Sequence, residues 1–179
     1  MSILNMIRNS LAFVIAGSLL ASCASTQLPP SGSQWARIPL ARFEETIDYQ
    51  IGLRSKEHDH MSVVGDFNGD GKRDLVLMAE NTQNGEVGFV AWVSYKNRSY
   101  TEYVIWTYEW DSFVRRGLSF VRPGTYETAC SKGYGSRHDP CPVKFVTIEN
   151  EAFRIFTYES GSTMYYWKEG RFHKVWVSD

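Results

Sequence analysis

Val87-Gly88-Phe89-Val90-Ala91-Trp92-Val93-Ser94-Tyr95 decides the fold. Its centre, Phe89 to Val93, is apolar without interruption, which marks a strand buried on both faces. Just upstream, Asn84-Gly85 has the composition of a tight hairpin turn. Before that turn lies the apolar run Leu75–Ala79, and before it Met61–Gly65. Downstream, Lys96-Asn97-Arg98-Ser99 turns the chain into Tyr100–Tyr108. Further runs follow at Gly117–Val121, Val143–Ile148, Phe153–Glu159, Met164–Lys168 and Arg171–Val177. Pro123-Gly124, Glu149-Asn150, Ser160-Gly161 and Glu169-Gly170 separate them as turn signals. No apolar period of 3.6 residues is sustained anywhere in this region. The pattern predicts about nine antiparallel strands in an all-β meander, forming a sandwich or a propeller-like curved sheet. A complete propeller is excluded, because each blade takes about 40–50 residues. Residues 36–51 read equally as a strand or a short helix.

Composition agrees. Aromatic residues make up 15% of the 179 residues, with 6 Trp, 10 Tyr and 10 Phe, and such side chains favour strands and dominate buried area. A formal net charge of −1 gives no support to electrostatic nucleic-acid binding.

The N-terminus has a different character. Arg8 precedes the apolar run Leu11–Leu20, which is too short for a transmembrane helix of about 20 residues and suits a signal peptide. The run ends in Leu20-Ala21-Ser22-Cys23, which resembles a bacterial lipobox. That resemblance implies cleavage after residue 22 and lipid (palmitate) on Cys23. Ala24 follows, not Asp, which by resemblance to the sorting rule of enteric bacteria implies the outer membrane of a Gram-negative cell, facing the periplasm. Residues 23–34 have linker composition and are expected to form a flexible tether. The folded domain is expected over 35–179.

With Cys23 assigned to lipid, Cys130 and Cys141 remain. In an exported chain an even pair reads as a disulfide. It would close a loop too rich in Gly and Pro to hold itself. Zinc on Cys130, His138 and Cys141 is the alternative, and the oxidising compartment disfavours it.

Asp66-Phe67-Asn68-Gly69-Asp70-Gly71-Lys72-Arg73-Asp74 fits the pattern D-x-[DN]-x-D-G-x-x-D. Calcium takes six to eight oxygen ligands. The pattern would supply Asp66, Asn68, Asp70, the Lys72 carbonyl and Asp74, with Gly71 permitting the sharp turn. Leu77 stands where an EF-hand carries Glu, and the flanks read as strands. The stretch Val64–Leu75 instead resembles the FG-GAP/VCBS-type calcium loop joining two strands. A structural calcium ion is expected, since the ligand set leaves no position for substrate.

Other constellations are weak. His58 and His60 could share a strand face, but a solvated loop is the expectation. Glu44-Glu45 and Glu149/Glu151 have no diagnostic spacing. Neither a phosphate-binding loop nor a nucleophile elbow occurs, so a non-enzymatic role is expected.

The texture of the C-terminal half completes the reading. Arg122-Pro123-Gly124-Thr125-Tyr126 leads into the bridged loop, and Phe156-Thr157-Tyr158-Glu159-Ser160-Gly161-Ser162-Thr163-Met164-Tyr165-Tyr166-Trp167 follows. With the lipobox and the acidic loop, it resembles a family of small Gram-negative envelope lipoproteins. These include immunity proteins against peptidoglycan-cleaving effectors of antibacterial secretion systems, similar in fold to periplasmic lysozyme inhibitors of the PliI type. The resemblance implies a lipid-anchored inhibitor of a peptidoglycan hydrolase or lysozyme-like effector. In those inhibitors a Ser-Gly-x-Tyr or Ser-Gly-x-x-Tyr loop enters the enzyme cleft. Here Ser160, Gly161, Ser162 and Tyr165 come nearest, at a longer Ser160-to-Tyr165 spacing. Tyr134 and His138 of the bridged loop are expected as a second contact. The alternative function is a structural envelope module that holds another envelope protein or a glycan.

Overall fold

The computed structural model describes residues 28–44, 46, 60–95, 99–134 and 143–177. The predicted lipidation site, residues 23–27 of the tether, His58, His138 and Cys141 lie outside them. Among the described residues, antiparallel strands form two main sheets and a separate hairpin.

The first sheet contains β1 (Trp35–Arg37), β2 (Ser62–Gly65), β3 (Asp74–Asn81), β4 (Val87–Ser94) and β5 (Tyr100–Tyr108). β1 and β2 share one edge of β3 end to end, with Trp35 opposite Asn81 and Val64 opposite Leu75. β4 covers the other edge and β5 lies beyond it. The second sheet runs β11 (Arg171–Val177), β10 (Ser162–Lys168), β9 (Ala152–Thr157) and β6 (Arg116–Val121). Between β6 and β9 the chain leaves this sheet to form the hairpin of β7 (Gly124–Glu127) and β8 (Phe145–Ile148). Two single-turn helices, α1 (Ala41–Glu44) after β1 and α2 (Trp110–Phe113) after β5, place Phe43 and Phe113 in the main core.

Strand alternation sorts the apolar residues into three layers. Val76, Met78, Phe89 and Ala91 from the first sheet meet Leu118, Phe153, Ile155 and Tyr165 from the second in the main core. The opposite parity of β3 and β4 buries Leu75, Leu77, Val90 and Trp92 with Trp35 on the outer face. Every residue of β4 is buried, as its uninterrupted apolar run requires. The β7–β8 hairpin covers the far face of the second sheet, where Val146 and Ile148 meet Val121, Met164 and Val177. The fold is therefore an all-β sandwich of open antiparallel sheets.

All nine predicted strands are present, and β1 and β7 are additional. The connectivity departs from a simple meander, because β6 pairs with β9 across the excursion of β7 and β8. The described residues within 36–51 contribute the end of β1 and then α1.

Candidate functional site

The acidic loop joins β2 to β3 and is held by its own side chains. The backbone N–H of Asp70 donates to both Asp66 Oδ1 and Asn68 Oδ1, each at 3.0 Å. Sharing one donor brings those two oxygens together. Gly71 N–H donates to Asp66 Oδ2 at 2.9 Å, and Lys72 N–H to Asp70 Oδ1 at 3.0 Å. Asn68 is oriented by its Nδ2, which donates to the Ser94 carbonyl at 2.8 Å. Gly69 and Gly71 both take positive φ, at 74° and 82°, which only glycine adopts at little cost. One acceptor is left over: Asp70 Oδ2 is buried without a hydrogen-bond partner.

Asp74 stands apart, correcting the expected ligand set. Its carboxylate is 1% exposed and accepts from Phe67 N (2.8 Å), Asn68 N (3.4 Å), Ser94 N (2.7 Å) and Ser94 Oγ (2.9 Å). Four donors fill the lone pairs of its two oxygens. Burial pushes its carboxyl above the usual range, opposed by the hydrogen bonds from Ser94, Phe67 and Asn68. Asp74 thus fastens the loop to the end of β4. Among the described residues no group of three or more His, Cys, Asp or Glu is arranged to hold a metal. Asp66, Asn68 and Asp70, with the Lys72 carbonyl nearby in the chain, are the oxygens that remain.

The loop also staples the two sheets. Glu151, in the turn between β8 and β9, accepts from Asp66 N at 2.6 Å and pairs with Arg73 at 2.8 Å. Gly69 lies so close to Asn150 that an added Cβ would stand 2.7 Å from its Oδ1. Gly69→Ala is therefore expected to strain the backbone at its positive φ and to displace the Asn150 side chain. It should lower the thermal midpoint, whereas Gly85→Ala, at a similar φ but in open space, should cost less. Equal midpoints for the two variants would count against the docking.

The expected inhibitory loop divides. Ser160 is exposed and Gly161 half-buried, in the turn between β9 and β10. Ser162 and Tyr165 are buried and offer no surface for a protein partner to cover, contrary to expectation. Ser162 is 2% exposed and donates to the Val177 carbonyl at 2.6 Å. Tyr165 faces the main core, stacked on Phe153 at 5.3 Å between ring centroids. Both already belong to β10, where register dictates direction. Tyr134 is 53% exposed, as expected. Cys130 is disulfide-bonded, and its partner lies outside the described residues.

A residue the sequence did not single out connects these parts. Trp176, on β11 and half-exposed, carries its indole Nε1 2.9 Å from where a Cβ on Gly161 would stand. Its carbonyl accepts from Ala129 N at 2.9 Å, and the Ala129 carbonyl accepts from Tyr134 N at the same distance. The β9–β10 turn and the Cys130 segment thus meet around Trp176 at one end of the second sheet. His60, expected in a solvated loop, is half-buried, with its ring 4.9 Å from that of Phe156. No protein-family model, curated protein or solved structure matches the chain.

Proposed function

We propose that the chain is a lipid-anchored periplasmic binding protein that inhibits a peptidoglycan hydrolase or lysozyme-like effector. The observation that carries this reading is that exposed Ser160, Tyr134 and Trp176 lie on backbone segments joined at one end of the second sheet, with the Trp176 indole beside Gly161 and the Tyr134 segment bonded to the Trp176 carbonyl through Ala129. Hydrolases of this class work with two carboxylates in an open cleft. Hydroxyl donors can bond those carboxylates, while aromatic rings supply contact area at small entropic cost. Ser160 offers the hydroxyl, and Trp176 and Tyr134 the rings. The lipobox ending at Cys23 supports the address. Cys23→Ser is expected to release the protein from the membrane fraction, and unchanged fractionation would count against lipidation.

Trp176→Ala is the direct test of the surface. Loss of a central interface anchor costs about 2 kcal/mol or more, so inhibition should weaken at least about 30-fold. Inhibition equal to wild type would remove this surface from the mechanism. Failure of the wild type to inhibit any wall hydrolase would favour the structural module that holds another envelope protein or a glycan.

Calcium belongs to the same proposal. Asp66, Asn68, Asp70 and the Lys72 carbonyl would hold the ion, and the unpaired Asp70 Oδ2 is the atom that supports this assignment. The ion would neutralise the loop and stabilise it by mass action, about 2.7 kcal/mol at a hundredfold excess over Kd. Calcium should raise the unfolding midpoint above that in EDTA, and Asp70→Ala should abolish the difference. Identical wild-type midpoints in calcium and EDTA would refute a structural ion.

A further inference from the structure

Arg116 enters the space between the sheets from β6, and no acid among the described residues meets it. Its guanidinium carbon lies 4.3 Å from the centroid of the Tyr108 ring, and Nη1 donates to Thr157 Oγ1 at 2.6 Å. Its Nε is buried with no hydrogen-bond partner. Among the described residues no carboxylate pairs with it. Arg116 as a whole is half-buried, and a cation partly withdrawn from water is usually compensated by an anion. The Tyr108 ring supplies only part of that compensation.

The guanidinium borders a pocket of about 190 Å³, walled by Tyr108, Thr163, Tyr165, Gly161 and Trp176. Neither phenol hydroxyl has a hydrogen-bond partner among the described residues. Both phenols remain protonated donors. Burial pushes Tyr165 up to about 12, and the neighbouring Tyr108 adds to the rise while Arg116 opposes it. Burial raises Tyr108 too, again opposed by Arg116. Among the described residues the pocket therefore presents one fixed positive charge and unused donors, and its lining holds no carboxylate. It is smaller than the sites that take whole drug-sized molecules.

We propose that this pocket binds the terminal carboxylate of a ligand, with Arg116 as the charged partner. A carboxylate is a charge-matched acceptor for a guanidinium, and a single cation suits a monoanion better than a phosphate dianion. Tyr108, Tyr165 and Thr163 are the neighbouring donors. Trp176 forms the wall beside the mouth and gives the rest of the ligand an aromatic surface. The carboxylate could be a peptide C-terminus or that of an acidic sugar. The assignment does not depend on the hydrolase reading.

The test is a titration of the purified full-length chain, read at the Gly161 and Thr163 backbone amides by nuclear magnetic resonance. Acetate, N-acetylalanine, N-acetylalaninamide, glucuronate and inorganic phosphate are the probes. Saturable shifts are expected with the carboxylates and none with the amide. Arg116→Gln should weaken N-acetylalanine binding by about tenfold or more. Tyr165→Phe should weaken it several-fold while leaving the thermal midpoint near that of the wild type. Tighter N-acetylalanine than glucuronate supports the peptide source, and the reverse order supports the sugar. Equal binding of acid and amide, preference for phosphate, or an unchanged affinity in Arg116→Gln would overturn the proposal. Should Arg116→Gln not fold, Tyr165→Phe decides, and undiminished acid binding there counts against it.

Discussion

Replacing Asp74 with alanine is expected to destabilise the protein by about 3–5 kcal/mol, because four donors lose their acceptor at once. Phe67 is fully buried and Ser94 nearly so, so water cannot replace the carboxylate at either N–H. The loss falls short of four separate charged hydrogen bonds. Burial makes the ionised carboxylate costly and raises its pKa, and alanine removes that cost too. Asp74→Asn separates the contributions. It keeps one carbonyl acceptor but turns an NH2 group toward the donors on the other side, so it should recover only about half of the deficit. Urea unfolding in EDTA is the measurement, since it removes any contribution from calcium. At 2–4 °C per kcal/mol for a chain of this size, the alanine midpoint should fall by roughly 10 °C. A deficit under about 1 kcal/mol would mean that Asp74 is not the fastening described here.

The fold was legible in the sequence wherever residues announce themselves locally. The run Phe89 to Val93 suggests a strand buried on both faces, and Asn84-Gly85 marks a hairpin turn. β1 and β7 were missed because they span three and four residues and exist through distant pairing. Trp35 finds Asn81 across the sheet, and nothing around Trp35 announces that partner. The acidic loop was legible as a loop, but Asp74 was not. The same spacing serves a ligand or a hydrogen-bond acceptor, and Ser94, twenty residues on, decides between them. At Ser160-Gly161-Ser162-Thr163 the composition signals a turn without fixing where it ends. Pairing of Ser162 with Val177 starts the strand at Ser162, and from there parity sends Tyr165 into the core. Trp176 carries no signal of its own, because exposure at a strand end follows from the turn beside it.

Tyr165→Ala is therefore expected to act on the fold before it acts on any partner. The ring lies nearly parallel to Phe153, with 6° between the planes. Phe153 in turn lies 5.4 Å from both Phe67 and Phe172. Removing one aromatic ring from such a cluster costs about 3–5 kcal/mol, partly in lost burial and partly in the cavity left behind. Trp176→Ala should cost much less, because its ring is 49% exposed and water already meets part of it. The two variants thus separate folding from recognition. Chemical denaturation and inhibition of a hydrolase, measured on the same samples, give the comparison. Tyr165→Ala should lose stability and, wherever it is still folded, retain the contact at Trp176. Trp176→Ala should keep most of its stability and lose the contact. Tyr165→Phe preserves the stack and should stay within about 1 kcal/mol of wild type. Wild-type stability in Tyr165→Ala, with binding alone abolished, would return Tyr165 to the contact surface and contradict its place against Phe153.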